Sequence, residues 1–554
     1  MGKRVLIVGG VAGGASCAAR LRRLDETAEI VVFDRGPHVS FANCGLPYFV
    51  GNVIADERCL LVASSELFRQ RFNIAVHTRH DVTAIDRSRR TIRVTDLDAA
   101  GGPREREEAY DALLLAPGAA PIRPPLPGIE LPGIFAVRTI PDTRRIRRWI
   151  EEHAPRRAVV VGGGFIGLEM AENLAHRGLE VTILEKLPQL MLPLDAEMAA
   201  TVRTHIEAAG VRLHLGDGLS GFAAAGERLA VLTESGARLP ADLVILSIGV
   251  RPETGLAVGA GLPLGARGGI AVDGEMRTAD PHIWAVGDAV EVRDVISGQD
   301  LIVPLAGPAN RQGRIAAESI SGRARSFRGV QATAVVGIFG LTVATTGAGE
   351  KGLRRLGVAD IACVYLHPGH HAGYYPGAKP IHLKLVFRVP DGRILGAQAV
   401  GLEGVDKRID VIATMIQLGG TVRDLAEAEL CYAPQFGGAK DPANLAGMIA
   451  VNHLDGLMPL ADWQALNSAH VVDVREPDEF AAGHIPGAHN LPLSQLRERH
   501  HELPSDQPLA LYCGVGQRAY YGTRFLLQHG YRAANLSGGY TTYRALVDGG
   551  VIAS

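Results

Sequence analysis

Cys44 lies in the stretch SFANCGLPY, residues 40–48, between Asn43 and Gly45. It is one of six widely spaced cysteines, none of which forms a CxxC pair or a metal-ligand spacing. Each thiol is therefore read alone, as reactive or as buried filler. A helix is expected to start at Cys44. A thiol there meets the positive end of the helix dipole and unpaired backbone N–H groups, and both lower its pKa and favour the thiolate. The second cysteine with chemical promise is Cys513, which ends an apolar strand and opens CGVGQR. Successive N–H groups of such a loop form an anion-binding nest, and Arg518 adds positive charge. That setting suits a thiolate or a persulfide. Cys17, Cys59, Cys363 and Cys431 have no activating neighbours in sequence and read as packing.

Two units positioned around Cys44 carry the marks of nucleotide binding. Residues 3–34 read as strand KRVLIVG, helix AGGASCAARLRRL and strand EIVVFD. Their turn keeps Gly9 and Gly14 of a GxGxxG fingerprint, with Val11 at the middle glycine position. Asp34 stands where a ribose-binding carboxylate is expected. For one imperfect fingerprint, a tight turn with no ligand is a fair competitor. The pattern returns in RAVVVGGGFIGLEMAENLAHRGLEVTILEK, with Gly162, Gly164 and Gly167 complete and Glu185 closing the strand. Glu185 would accept from a ribose 2′-hydroxyl and repel a 2′-phosphate, favouring NADH over NADPH, and Lys186 next door softens that preference. LLLAPGAAP (113–121) and LVILSIGVRP (243–252) read as strand-to-turn segments where the chain crosses between domains.

The 554 residues, 47% apolar with net charge −2, leave room for about three to five domains and exclude a general nucleic-acid-binding surface. No apolar run is long enough to span a bilayer, and MGKRVLIVGG enters a strand without a signal-peptide core, so no membrane partner and a cytoplasmic location are expected. RRIRRWIEEHAPRR (144–157) reads as a solvated helix with i,i+4 charge pairs. Adjacent His370 and His371 share no helix face, and no metal is expected. Arg20 and Arg23, three apart on the first helix, suit anionic phosphates with forked donors. A solvated face is the alternative.

Further motifs carry a family resemblance. TADPHIWAVGDAVEV (278–292) resembles the third FAD motif of flavoproteins with two dinucleotide domains. SFxxCGxPY is shared by NADH oxidases or peroxidases and by coenzyme A-disulfide reductases, whose single cysteine cycles alone. The CxxxxC of glutathione-reductase-like enzymes is missing, since the next cysteine is Cys59. Ala12 stands where the oxidase and peroxidase group typically has a histidine, which counts against peroxide chemistry. CYAPQFGGAKDPANLAGMIAVN (431–452) and HHAGYYPGAKPIHLKL (370–385) resemble signatures of the coenzyme A-disulfide reductases.

Over roughly residues 1–450 the chain thus resembles that group of the pyridine nucleotide-disulfide oxidoreductases. The resemblance implies FAD on Gly9, Gly10, Ala12, Gly13, Gly14, Asp34, Arg35, Asn43, Ala116, Gly118, Gly287, Asp288 and the helix beginning near Pro308, with Asp288 on the ribityl hydroxyls. It implies NADH on Gly162, Gly164, Gly167 and Glu185, with Glu169 near the nicotinamide. Coenzyme A, as bound thiol or mixed disulfide on Cys44, is implied against Ser16, Arg20, Arg23, Ser40, Asn43, Arg71 and Lys440. Tyr432 and Tyr374, with Tyr375 as the alternative to Tyr374, are implied to enter from the partner subunit of a homodimer and to protonate the departing thiolate.

From about Asp455 the character changes. VVDVREPDEFAAGHIPGAHNLPL (471–493), the Cys513 loop and NLSGGYTTYRA resemble a single rhodanese domain, in which Asp473 and Arg475 are structural and Cys513 and Arg518 active. An inactive rhodanese-like fold used for docking is the alternative. The expected architecture is α/β throughout most of its length. Rossmann-like FAD-binding (1–119 and 247–325) and NAD(H)-binding (120–246) domains precede an α+β dimerisation domain (326–450), a linker (451–460) and an α/β rhodanese domain (461–554). The implied activity is NADH-driven, FAD-dependent reduction of S–S bonds in coenzyme A persulfide, polysulfide or coenzyme A disulfide, with Cys513 accepting and delivering sulfane sulfur. An NADH oxidase or peroxidase with a Cys44 sulfenic acid, and a redox sensor with a rhodanese docking module, are the alternatives.

Overall fold

The computed structural model describes residues 2–226 and 228–553. The chain forms two compact units, Met1–Leu187 with Val211–Ala332, and Pro188–Gly210 with Thr333–Ser554.

The first unit contains two five-stranded parallel sheets built to one plan. One is ordered Ile283–Ala285, Ala112–Leu115, Arg4–Val8, Glu29–Asp34, Ala75–Thr78. The other is ordered Ile134–Ala136, Leu243–Leu246, Arg157–Val161, Glu180–Glu185, Arg212–Leu215. The central strands, RVLIV and RAVVV, bury four of their five residues, as β-branched runs covered on both faces should. The two neighbours of each central strand are reached in opposite directions, so a crevice opens at its carboxyl end, where the glycine turn lies. Each repeat also carries a three-stranded antiparallel meander, 80–109 in one and 219–241 in the other. The two expected crossing segments end in strands Ala119–Pro121 and Val250–Pro252, which pair antiparallel.

The helix Ile140–His153 corrects one expectation. It starts on a capping box between Thr139 and Asp142 and buries Ile140, Thr143, Ile146 and Ile150. Arg144 and Arg147 reach other elements instead of i,i+4 partners, while Arg145 pairs with Asp142 three residues before it. Arg144 Nε donates to Glu57 Oε2 at 2.6 Å, and Arg147 donates to Phe49 O at 2.8 Å while lying over the Phe49 ring. A fixed carboxylate fork and an aromatic face hold guanidinium better than a mobile, solvated neighbour on the same helix. The helix thereby fastens two points, Phe49 and Glu57, of the segment that leads up to Cys59. That thiol is exposed, as is Cys431 in the loop after helix Val422–Glu427, so neither fills a core. In the Glu57–Leu60 turn the inward position belongs to Leu60. Cys17 is buried as expected.

The second unit holds a five-stranded antiparallel sheet, ordered Ala334–Ile338, Leu341–Gly347, Ile394–Gly401, Ile381–Arg388, Ile361–Leu366. Beyond it lies a four-stranded parallel sheet, His489–Asn490, His470–Asp473, Leu509–Tyr512, Ala533–Asn535. Lys384 is buried in this unit with its ammonium 2.5 Å from Glu197, 2.8 Å from Asp195 and 2.8 Å from Glu350. Burial opposes the Glu350 charge, but Lys384 outweighs it and draws the carboxyl pKa down to about 2.

Replacing Lys384 with Met strands those carboxylates, and a loss of about 3–5 kcal/mol is expected in urea unfolding at pH 7. Because the Glu350 pKa is depressed, its share is complete above the unfolded value of about 4.5 and fades as pH falls towards 2. The difference between wild type and variant should shrink with it. A loss of less than 1 kcal/mol at pH 7 would contradict this.

Candidate functional site

The first crevice is shaped by backbone contact. Gly9 has φ +92°, and a Cβ there would stand 2.1 Å from Ala116 O, so only glycine lets the two strand ends close. The Asp34 carboxylate is fixed at the end of its strand by two amides, Gly10 N and Gly36 N, each donating at 2.8 Å. The adjoining helix, Ala12–Leu24, has no side-chain cap, which leaves its first N–H groups for an anion. A cleft of about 620 Å³ runs from this turn to Asp288. Gly9, Ala12, Gly13, Asp34, Arg35, Asn43, Ala116, Gly118, Gly287 and Asp288 all line it. Gly10 and Gly14 stand behind, buttressing the turn, and Ala309 faces the cleft where Pro308 was expected.

Burial pushes the pKa of both Asp34 and Asp288 up. Carboxyls so placed gain from hydroxyl donors, which a ribose and a ribityl chain supply. The cleft therefore fits FAD, with a diphosphate against the helix N-terminus. Sequence reading missed Arg138, whose Nη1 is 3.9 Å from Asp288 Oδ2 and 3.3 Å from the Asn43 amide oxygen. Its only local context is the capping box that follows, which announces a helix and says nothing of a cleft.

The second crevice repeats the device. Glu185 Oε2 accepts from Gly163 N at 2.7 Å and Oε1 from Leu187 N at 2.8 Å. Gly162 has φ +108° and lies against Ser247 O, Gly167 packs on Gly162 O, and a Cβ on Gly164 would meet open space. Helix Phe165–His176 likewise lacks a side-chain cap. The set fits a second dinucleotide with a free ribose 2′-hydroxyl. Lys186 is held by Glu234 at 2.9 Å.

Cys44 is exposed, in a 3-10 turn Asn43–Gly45 that leads into helix Leu46–Val50. Its thiol does not have the lowered pKa expected from a helix start. Partial burial pushes the pKa up, and the Glu169 and Asp288 carboxylates push it further. A five-residue helix has too few aligned peptides to oppose two anions. Glu169 projects from helix Phe165–His176 and accepts from Tyr48 Oη at 3.2 Å. Burial raises its own pKa, and the Tyr48 phenol is pushed up to about 12 by burial and by Glu169.

Of the expected coenzyme A contacts, Ser16 is hydrogen-bonded to Asn310. Arg20 is paired within the chain. Its Nη2 is 2.7 Å from Glu318, a buried carboxylate that also meets Arg325 at 3.2 Å, because a half-buried guanidinium is costly unless paired. Ser40 sits at φ 48° with its N–H on Gly10 O. Arg23, Arg71 and Lys440 are exposed.

In the second unit, Tyr374 and Tyr432 lie 58 residues apart, and their hydroxyls are joined at 2.7 Å. Tyr374 is 76% exposed, while Tyr375 turns edge-on to His371. The pairing selects Tyr374 as the companion of Tyr432. The Tyr432 hydroxyl also raises the Tyr374 pKa.

Cys513 follows strand Leu509–Tyr512 and is 1% exposed. Gly516 N donates to its sulfur at 3.2 Å, the first contact of the expected nest. Arg518, the expected extra cation, is neutralised by a two-pronged pair with Glu479 at 2.6 and 2.7 Å. Glu479 lies 39 residues earlier, so nothing local announces it. Asp473 and Arg475 form the expected buried pair at 2.6 Å.

Comparison with known proteins agrees with this geometry. Residues 3–313 match the family model of the pyridine nucleotide-disulphide oxidoreductases, 333–443 that family's dimerisation domain, and 459–546 the rhodanese-like domain. The coenzyme A disulfide reductase of Staphylococcus epidermidis is 36% identical over 445 residues, covering 80% of this chain and 99% of its own. The crystal structure of reduced Bacillus anthracis CoADR-RHD superposes with a TM-score of 0.96 at 45% identity, over 99% of this chain and 98% of that one. An NAD-dependent persulfide reductase from A. fulgidus gives 0.90 at 35% identity, over 98% and 100%.

Replacing Glu169 with Gln removes one negative neighbour, so the Cys44 pKa should fall and its thiolate fraction rise. Alkylation of Cys44 by iodoacetamide in the reduced protein at pH 7, followed by mass spectrometry of its peptide, should speed up by about two- to fivefold. An unchanged or slower rate would show that Glu169 does not set this thiol.

Proposed function

The chain belongs to the pyridine nucleotide-disulphide oxidoreductase family, and from that premise we propose that it reduces the S–S bond of coenzyme A persulfide, polysulfide or coenzyme A disulfide. It is a flavoprotein oxidoreductase with an appended rhodanese-like domain, in a family that uses FAD and NADH. The observation that carries the reading is Cys44 itself. It is a free, exposed thiol in the electrostatic field of Asp288 at the cleft, while Cys17, in the same unit, is sealed in the core. A solitary thiol of this kind must take its disulfide partner from the substrate. The S. epidermidis relative is named for coenzyme A disulfide and the A. fulgidus neighbour for persulfide, and both substrates meet this requirement.

The Cys44 thiolate attacks a sulfur bonded to coenzyme A. The S–S bond of the substrate breaks, a Cys44–coenzyme A disulfide forms, and the electron pair leaves on a second coenzyme A thiolate or, from a persulfide, on hydrosulfide. FAD, when bound, supplies the two electrons that NADH brings to reset this disulfide. Asp34, Asp288 and the N-terminus of helix Ala12–Leu24 hold it, and Glu185 selects the nucleotide that lacks a 2′-phosphate. Ser16, Ser40, Asn43 and the exposed Arg23, Arg71 and Lys440 receive coenzyme A, with Arg20 held by Glu318 until phosphate competes for it. In a homodimer, Tyr374 and Tyr432 of the opposite subunit protonate the departing thiolate, and their mutual hydrogen bond keeps Tyr374 in its acid form. Cys513 attacks the terminal sulfur of a polysulfide, and the shortened polysulfide leaves as its anion. The Cys513 persulfide, held by the loop amides, then passes that sulfur to a coenzyme A thiolate. This frees Cys513 and gives the coenzyme A persulfide that Cys44 attacks, with tethering raising its effective concentration.

Two variants test this. Cys44→Ser should abolish NADH-driven turnover of both coenzyme A disulfide and polysulfide. Cys513→Ser should lower polysulfide turnover by about tenfold or more while coenzyme A disulfide turnover stays within about twofold. Residual coenzyme A disulfide reduction in Cys44→Ser would remove Cys44 from the reaction. Equal effects of Cys513→Ser on both substrates, or none, would remove the delivery role.

A further inference from the structure

The Cys513 loop is held from below by the start of helix Gly539–Asp548. Tyr540 N donates to Cys513 O at 2.7 Å and Thr541 N to Gly514 O at 3.0 Å. The approach is backbone on backbone. A Cβ on Gly539 would stand 2.2 Å from Cys513 O, and one on Gly516 would stand 3.0 Å from Gly538 N. Loop and helix start therefore move together.

The same helix start is gripped from its other side by strand Ile361–Leu366 of the antiparallel sheet and by the residue just past it. Ser537 Oγ accepts from Tyr365 N at 2.8 Å and donates to Tyr365 O at 3.0 Å, so one hydroxyl is locked between both backbone groups of one residue. His367 Nε2 meets Thr542 Oγ1 at 2.9 Å, and its Nδ1 meets His382 Nδ1 at 2.8 Å. Gly538 has no room between them: a Cβ there would lie 2.8 Å from Tyr365 Cβ and 3.0 Å from His367 Nε2. Burial lowers the His367 pKa to about 3 and lowers that of His382 as well. The Tyr365 hydroxyl continues the chain to Glu197 at 3.0 Å, one of the carboxylates on Lys384.

We propose that His367, Tyr365 and Ser537 are positioning residues for Cys513, so that the antiparallel sheet, outside the rhodanese-like match of 459–546, sets the geometry of the sulfur-carrying loop. This rests on the reading of Cys513 as the sulfur acceptor. None of the three contacts sulfur. Each acts through the helix start that carries the amides bonded to Cys513 and Gly514. The arrangement ties sulfur handling at Cys513 to the integrity of the sheet that precedes it.

The test uses the full-length holoprotein with sodium polysulfide as donor and cyanide as acceptor. Intact mass under non-reducing conditions reads the sulfur adduct on Cys513. His367→Leu and Ser537→Ala should each lower the kcat of sulfur transfer about tenfold while KM for the donor stays within about twofold. His367→Gln, whose amide nitrogen can still meet Thr542, should recover to within about threefold of wild type. NADH-driven coenzyme A disulfide turnover at Cys44 should remain at the wild-type rate in all three. Sulfur transfer at the wild-type rate in both His367→Leu and Ser537→Ala overturns the positioning role alone. His367→Gln as slow as His367→Leu also overturns it. A wild-type chain that takes no sulfur on Cys513 and passes none to cyanide overturns the sulfur-acceptor reading beneath it.

Discussion

A thiol placed in the field of two carboxylates resists ionisation, and Cys44 is so placed by Glu169 and Asp288. The constraint reaches through the rest of the first unit. Asp288 must stay where it is to complete the cleft, and Glu169 must stay on the helix that follows the second glycine turn. The sulfur cannot then be activated by its own helix, whose five residues are too few. In the proposed reaction its reactivity comes from what enters the cleft and from acids that protonate the leaving group. A reduced Cys44 kept as thiol is also a poor target for further oxidation, which attacks the thiolate. A solitary sulfur in the proposed role gains from that protection.

The two crevices solve one problem twice. In both, a carboxylate at a strand end is clamped by a turn amide and by an amide two residues on, which fixes its free lone pairs towards the crevice. In both, the first glycine is at positive φ because the backbone of a neighbouring strand end lies within 2.5 Å of where a side chain would start. Chemistry differs between them only in what surrounds the turn. The first is walled by Asn43, Arg138 and Asp288 into a long cleft. The second leaves open space over Gly164.

What the sequence made legible was local. Glycine turns, acidic strand ends and the CGVGQR loop each encode their geometry within a dozen or so residues, and each was found where expected. Contacts between distant segments were not legible. Arg138 faces Asp288 across 150 residues, and Arg518 meets Glu479 across 39. No periodicity or motif reports such a pair. The same blindness produced the misreadings. The Cys44 pKa read from its own turn and Arg144 read from its own i,i+4 register both miss a carboxylate from elsewhere that decides the outcome. The Tyr374–Tyr432 bond is an intermediate case. Family resemblance singles out the two segments and favours Tyr374 over Tyr375, and in the folded chain it is the Tyr374 hydroxyl that meets Tyr432.

The second unit shows how buried polarity can join domains. Lys384 and its carboxylates lead through the Tyr365 side chain to Ser537 on the Tyr365 backbone, and the His367–His382 pair separately reaches Thr542, so two paths of polar contacts meet the helix start beneath Cys513. A path of neutral and paired groups adds specificity of docking that an apolar contact would not. The central claim nevertheless concerns Cys44, the sulfur that borrows its partner from a small thiol. Intact and peptide mass spectrometry of the oxidised holoprotein under non-reducing conditions tests it most directly. A coenzyme A adduct confined to the Cys44 peptide and released by NADH is the expected result. A Cys44 found as sulfenic acid, or bonded to another cysteine of this chain, would contradict it.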